Sequence, residues 1–218
     1  MTEIIAIDGP AGSGKSSVSK QVARELGFGY LDTGAAYRAL AWAVANGLVA
    51  FETADGHPRV ALEDFAYSIS LNPDDFWVKV SGTDVTEAIR EPQIAQSVSR
   101  VAQVPQVRDY MKTITRAMVE ASGLPGVVVE GRDITTVVAP EAKNRILLTA
   151  TEEVRLKRRS AELAPEQAKN VERQVSERDA QDSKVVDFMT PAPGVTLVDS
   201  TELNFEQTVA AVLSVIRA

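Results

Sequence analysis

The sequence predicts an α/β fold: a P-loop, doubly wound parallel sheet flanked by helices, with an inserted small β-containing lobe and a helical lid. Three observations predict it. Short apolar runs alternate with segments of helical periodicity, the pattern of a parallel sheet joined by crossover helices. The first run leads into Gly9-Pro10-Ala11-Gly12-Ser13-Gly14-Lys15-Ser16, which has the phosphate-loop spacing G-x-x-x-x-G-K-[ST]. Midway along the chain two segments alternate with period two about a turn, an antiparallel hairpin set into a parallel chain.

Ile4-Ile5-Ala6-Ile7, closed by Asp8-Gly9-Pro10, reads as a buried strand. Residues 15–26 turn helical, with Val18, Val22, Ala23 and Leu26 on one face and Gly27 as the stop. A second strand over 28–31 precedes a helix over 35–46, for which Thr33 is placed like an N-cap. Residues 67–71 and 76–80 form the expected hairpin around Asn72-Pro73-Asp74-Asp75, and the turn at 81–84 leaves room for a third strand. The α/β rhythm resumes at Val127-Val128-Val129 and again at 145–148. Thr151, Glu152 and Glu153 open a helix by capping and by charge at its positive end. Residues 162–184 are strongly charged with little core-forming capacity, and 195–198 and 205–216 supply the last strand and helix. The expected organisation is a core of residues 1–50 and 111–218, with a lid at about 160–187, and an inserted lobe of residues 51–110.

A chain of 218 residues with 44% hydrophobic and 24% charged content is an ordinary enzyme-sized globule. No run of eighteen apolar residues occurs, so no membrane helix is expected. Met1-Thr2-Glu3 lacks the basic start of a secretory signal, which makes a cytoplasmic protein the expectation. Without cysteine there is neither a disulfide framework nor a cysteine zinc site, and the one histidine, His57, lies in a turn-like run. A formal charge of −7 argues against a nucleic-acid surface. Arg155, Arg158 and Arg159 share one helix face, which suits either closure over a nucleotide or a solvated basic surface.

The loop's composition follows from what it must do. Glycines at 9, 12 and 14 let backbone N–H groups curl toward phosphate oxygens, and the helix that follows directs its positive end at the same anion. Lys15 reaches the β- and γ-phosphates, and the Ser16 hydroxyl is the candidate Mg²⁺ ligand. Gly9 through Ser17 are therefore the candidate ATP-binding residues. Asp8 suits either magnesium placement through water or a turn cap.

No N-K-x-D guanine motif is present, and the apolar strand 127–129 ends in Glu130-Gly131-Arg132-Asp133, not in the paired carboxylates of a motor ATPase. An arginine at the carboxyl end of such a strand suits a second anion. Asp32-Thr33-Gly34-Ala35-Ala36-Tyr37-Arg38 offers a hydroxyl, helix N–H groups and a guanidinium to another phosphate.

Residues 32–38 and Gly131-Arg132-Asp133-Ile134-Thr135-Thr136-Val137-Val138 resemble the two signature segments of bacterial cytidylate kinases, and the resemblance extends over essentially the whole chain. Residues 82–90 resemble that family's inserted monophosphate-binding lobe. The resemblance implies transfer of the γ-phosphoryl of ATP, with Mg²⁺, to CMP and dCMP. It implies that Thr33, Arg38 and Arg132 hold the acceptor phosphate and that Ser99, Arg108 and Asp133 read cytosine. Arg178-Asp179 and Asp182 resemble the family's lid segment, which implies Asp182 on the ribose hydroxyls with Arg178 nearby. Lys15, Arg38, Arg132 and Arg178 are the implied catalytic residues, and the resemblance implies a monomer. Arg158, from the basic helix face, is the candidate ATP contact there. The lid departs from the family pattern: Val185 stands where an arginine is usual, beside Lys184, and Met189-Thr190 replaces Pro-Leu. Thr115, before Arg116, stands where glutamine is common. The rivals are a kinase for another small acceptor and a nucleotide-switched binding module.

Overall fold

The computed structural model describes residues 2–161, 179 and 187–218. In chain order the strands and helices are β1 (Glu3–Asp8), α1 (Lys15–Leu26), β2 (Gly29–Asp32), α2 (Thr33–Ala45), β3 (Phe51–Ala54), β4 (His57–Val60), β5 (Tyr67–Ile69), β6 (Val78–Val80), β7 (Thr83–Asp84), α3 (Pro92–Ala102), α4 (Pro105–Ala121), β8 (Gly126–Gly131), β9 (Asn144–Thr149), α5 (Glu152–Ala161), β10 (Thr196–Asp199) and α6 (Phe205–Arg217). Two compact units result, Met1–Tyr30 with Leu124–Ala218, and Leu31–Gly123.

The first unit is organised by a five-stranded sheet of order β10-β9-β1-β8-β2. β1 pairs in parallel with β8 and β9, and β9 with β10. Parallel strands covered on both faces read as continuous apolar runs; Ile5, Ala6 and Ile7 are 0% exposed, and every residue of β8 is buried. α1 buries Val18, Ser19, Val22 and Ala23 and stops at Gly27, whose φ of 67° costs glycine nothing. α6 opens with a reciprocal capping box between Asn204 and Gln207. A π-helical turn, Ile134–Val138, follows the end of β8.

In the second unit β5 and β6 form the expected antiparallel hairpin, with Tyr67 opposite Val80 and Ile69 opposite Val78, and β7 adds a third strand. A second hairpin, β3–β4, turns at Asp55 and Gly56, with φ of 54° and 76°, the Asp-Gly signature of a tight hairpin turn. Asp55-Gly56 was the available signal, but the flanking Phe51–Ala54 and His57–Val60 show no apolar alternation, and β4 holds a proline, so the pairing was not legible beforehand. α2 is alanine-rich and buried around most of its circumference, including Ala35, Ala36, Ala39, Leu40 and Ala43. α3 and α4 each start at proline, which is pre-shaped for the first helical turn.

Candidate functional site

In the first unit the phosphate loop joins β1 to α1. Gly14, at φ 84°, is the N-cap of α1 and has no side chain to satisfy the helix's first N–H groups, which leaves that end available to an anion. Gly12 lies at φ 75°, and a Cβ there would sit 2.4 Å from the Arg155 carbonyl oxygen. A Cβ on Gly9 would sit 2.2 Å from the Leu148 carbonyl oxygen. The loop is thus packed where glycine alone fits. The Ser13 hydroxyl is buried and has no hydrogen-bond partner among the described residues. Lys15 Nζ lies 3.5 Å from the Pro10 carbonyl oxygen, while Ser16 and Ser17 are exposed. An exposed hydroxyl at the helix start is a hard oxygen donor, so Ser16 fits the magnesium role.

Asp8, 2% exposed, is a turn-capping carboxylate. Its carboxylate accepts from the N–H groups of Ile134 and Thr135 at 2.9 and 2.8 Å and from the Thr135 hydroxyl at 2.6 Å. It thereby anchors the turn that follows Arg132 and Asp133 to the strand that precedes the phosphate loop. Burial pushes the Asp8 carboxyl above its ordinary range, opposed by these donors and by the charge of Lys15.

Arg132 lies beside the loop. Its Nη1 donates to the Gly9 carbonyl oxygen at 2.6 Å, Nη2 is 3.3 Å from Asp179, and the guanidinium covers the ring of buried Phe188 at 4.5 Å. Arg155 is no solvated face residue: it is 5% exposed and donates from Nη1 to the Ala11 carbonyl oxygen and to Asp179. Arg158 donates to the Ser200 hydroxyl, to the carbonyl oxygens of Ser200 and Leu203, and to that of Ser13 at 3.4 Å. Asp133 is half-buried at the head of the π-helical turn. At the strand end behind it, buried Glu130 accepts from the Tyr30 hydroxyl at 2.7 Å.

In the second unit the start of α2 is built by Asp32, and this corrects the expectation for Thr33. Asp32 is the N-cap, accepting from the Ala35 N–H at 2.9 Å, and Thr33 is the first helical residue. A carboxylate preceding the first turn outcompetes a hydroxyl inside it, because it meets the helix's positive end with full charge. The other carboxylate oxygen pairs with Arg38 Nη2 at 2.8 Å. Gly34 lets the two approach, since a Cβ there would meet Asp32 at 3.1 Å and Arg38 at 3.2 Å. Thr33 is 7% exposed, and Arg38 is half-buried. Near this pair the Tyr67 hydroxyl is sealed from solvent without a hydrogen-bond partner among the described residues; burial, and then the Asp32 charge, push it far above the phenol range. Its ring stacks on Phe65 at 5.4 Å. Ser99 on α3 and Arg108 on α4 are half-buried, and Thr115 lies on the buried face of α4.

Arg178, Asp182, Lys184 and Val185, with most of the expected lid, lie outside the described residues. The sequence reading placed Asp179 in the lid segment without a role of its own, because its loop partners lie far away in the chain, and it missed Phe188. The Asp-Thr-Gly order at 32–34 was the available signal for the cap.

The sequence model of the cytidylate kinase family matches residues 5–218. The chain belongs to that family. Among curated relatives, the cytidylate kinase of Cutibacterium acnes is 44% identical over 98% of this chain and 95% of its own. That of Streptomyces avermitilis is 38% identical over 98% and 92%. The structure of a sugar kinase from Janibacter sp. HTCC2649 superposes with a TM-score of 0.53 at 13% identity, covering 100% of this chain and 95% of its own. That likeness concerns the fold. The kinase is therefore an α/β P-loop enzyme of the nucleoside monophosphate class.

Proposed function

We infer that this cytidylate kinase moves the γ-phosphoryl of ATP to CMP and dCMP, giving ADP with CDP or dCDP, in cytoplasmic pyrimidine nucleotide metabolism and as a monomer. The observation that carries the reading is Arg132, held against the carbonyl of Gly9 at 2.6 Å and so beside the phosphate loop. A guanidinium there has its planar fork next to the place where a donor phosphate ends.

An acceptor phosphate oxygen attacks the γ-phosphorus in line, and the bond from that phosphorus to the β–γ bridging oxygen breaks. The acceptor oxygen is already anionic, so no strong base is required. Positioning and charge neutralisation supply the rate. The uncapped start of α1 and Lys15 bind the triphosphate. Thr33, Arg38 and Arg132 hold the acceptor phosphate; Arg38 exchanges Asp32 for it. Arg178 adds charge and Asp182 takes the ribose hydroxyls. Ser16 would hold Mg²⁺, which supplies charge neutralisation across the transferred phosphates when bound.

Ser99, Arg108 and Asp133 read the base. A carboxylate accepts from the cytosine N4 amino group while a guanidinium donates toward N3 or O2. Uracil reverses the first position and leaves buried polar groups unpaired, at about 1–3 kcal/mol each. The test is ADP formation with CMP, dCMP, UMP, AMP, GMP and shikimate, for wild type and Asp133→Ala. Highest kcat/KM on CMP and dCMP is expected, with the CMP/UMP ratio falling at least tenfold in the variant. An unchanged ratio would remove Asp133 from base reading, and preference for another acceptor would overturn the substrate.

A further inference from the structure

The Asp179 carboxylate hydrogen-bonds the phosphate loop, and the mechanism above does not use it. Oδ1 accepts from the Ala11 N–H at 3.1 Å and lies 3.3 Å from Arg132 Nη2; Oδ2 accepts from Arg155 Nη1 at 2.6 Å. The same Arg155 nitrogen donates to the Ala11 carbonyl oxygen at 2.9 Å. Both polar groups of the Ala11 backbone are therefore held, one by each member of an ion pair whose side chains are 6% and 12% exposed.

Two roles are open to such a carboxylate. It could be a stand-in anion that an incoming triphosphate expels, or a fixed part that shapes the loop. Burial decides between them. Arg155 has no other charge partner among the described residues, and its Nε already lacks a hydrogen-bond acceptor. To replace Asp179, a triphosphate would have to enter a pair that is only 6% and 12% exposed and also break the Asp179 bond to the Ala11 N–H. The contact to Arg132 is the long one of the three, so Arg132 can turn to a phosphate while Asp179 stays on Arg155 and Ala11.

We propose that Asp179 is a positioning residue: it stays in place when nucleotide binds and, through the Ala11 peptide, sets the shape of the phosphate loop. The proposal rests on reading residues 9–16 as the ATP site, and it deepens that reading by giving the site a determinant from outside the loop motif. It makes nucleotide affinity, more than acceptor affinity, the quantity that Asp179 controls.

The test is equilibrium binding of the Mg²⁺ complex of adenosine 5′-(β,γ-imido)triphosphate, and separately of CMP, to wild type and Asp179→Asn, with thermal melts of the same samples. Losing a charged hydrogen bond should weaken the ATP analogue about tenfold, with CMP affinity changed less than threefold. A purely structural role would lower the melting temperature and the active fraction while leaving both affinities of the folded protein unchanged. Asp179→Asn with Arg155→Met removes both charges and strands neither, so it keeps the fold accessible if the single variant does not fold. It should show the same analogue weakening. Analogue affinity within twofold of wild type in either folded variant overturns the proposal. Tighter binding overturns it also, because Asp179 would then be the displaced anion. Wild type that binds the analogue but phosphorylates no acceptor refutes the substrate reading alone, whereas wild type that fails to bind it refutes the loop reading and this proposal together.

Discussion

Replacing Thr135 by valine tests whether the carboxylate of Asp8 holds the turn behind Arg132 and Asp133. The hydroxyl donates to Asp8 at 2.6 Å, with the two residues 4% and 2% exposed. Valine keeps the shape, and the backbone N–H groups of Ile134 and Thr135 remain as donors at 2.9 and 2.8 Å. A hydrogen bond to an ionised group contributes roughly 1.5–3 kcal/mol. Because two of the three donors remain, the lower part of that range applies, about 1.5–2 kcal/mol at neutral pH. At roughly 2–4 °C per kcal/mol for a chain of this size, the melting midpoint should fall by about 3–8 °C.

The pH dependence carries a sign. Burial already raises the folded-state value of Asp8, against the pull of Thr135, Ile134 and Lys15. Removing the hydroxyl raises it further. A carboxyl raised on folding binds its proton more readily in the native than in the unfolded state. Its unfavourable contribution is absent below the unfolded value and complete once pH passes the folded one. The gap between wild type and Thr135→Val should therefore be widest near neutrality and narrow toward acid. Urea unfolding followed by circular dichroism in steps downward from pH 8 measures it. A loss under about 0.5 kcal/mol, or a gap that widens toward acid, would refute the assignment of an ionised Asp8 as the anchor.

Three further outcomes follow from the same geometry. Gly12→Ala should cost at least about 1–2 kcal/mol from the left-handed backbone alone, with the clash against Arg155 added; thermal melts and binding of the imido-ATP analogue should both register it. Tyr67→Phe removes a sealed hydroxyl that has no partner among the described residues, so urea unfolding should show a change from neutral to about 1 kcal/mol stabilising. A loss above that would reveal a bond to the hydroxyl. Arg158→Met should lower stability by about 1–3 kcal/mol, because it orphans the carbonyls of Ser200 and Leu203. A raised KM for ATP without a lower melting temperature would instead make Arg158 a nucleotide contact.

Residues near each other in sequence carried most of what could be read in advance. The phosphate loop, the alternation of strands and helices, the 67–80 hairpin and the acidic start of α5 each rest on spacing of a few positions, where φ preference, periodicity and capping act. β3 and β4, which lack apolar alternation and include Pro58, fell below that signal. The N-cap of α2 had a local signal in Asp32-Thr33-Gly34, but two adjacent good caps left the choice between them open, and the structure shows Asp32 in that place.

What the tertiary structure alone decided is the fate of the buried charges. The strand order β10-β9-β1-β8-β2 brings β1 beside β8, and so sets Asp8 under a turn 126 positions away. Asp179 reaches Ala11 across 168 positions. It also turns Arg155 from one of three basic residues on a helix face into half of a buried ion pair. An ionisable side chain looks alike in sequence whether solvated or buried. Its role is set by the free energy of leaving water, and only the fold determines which groups must leave it.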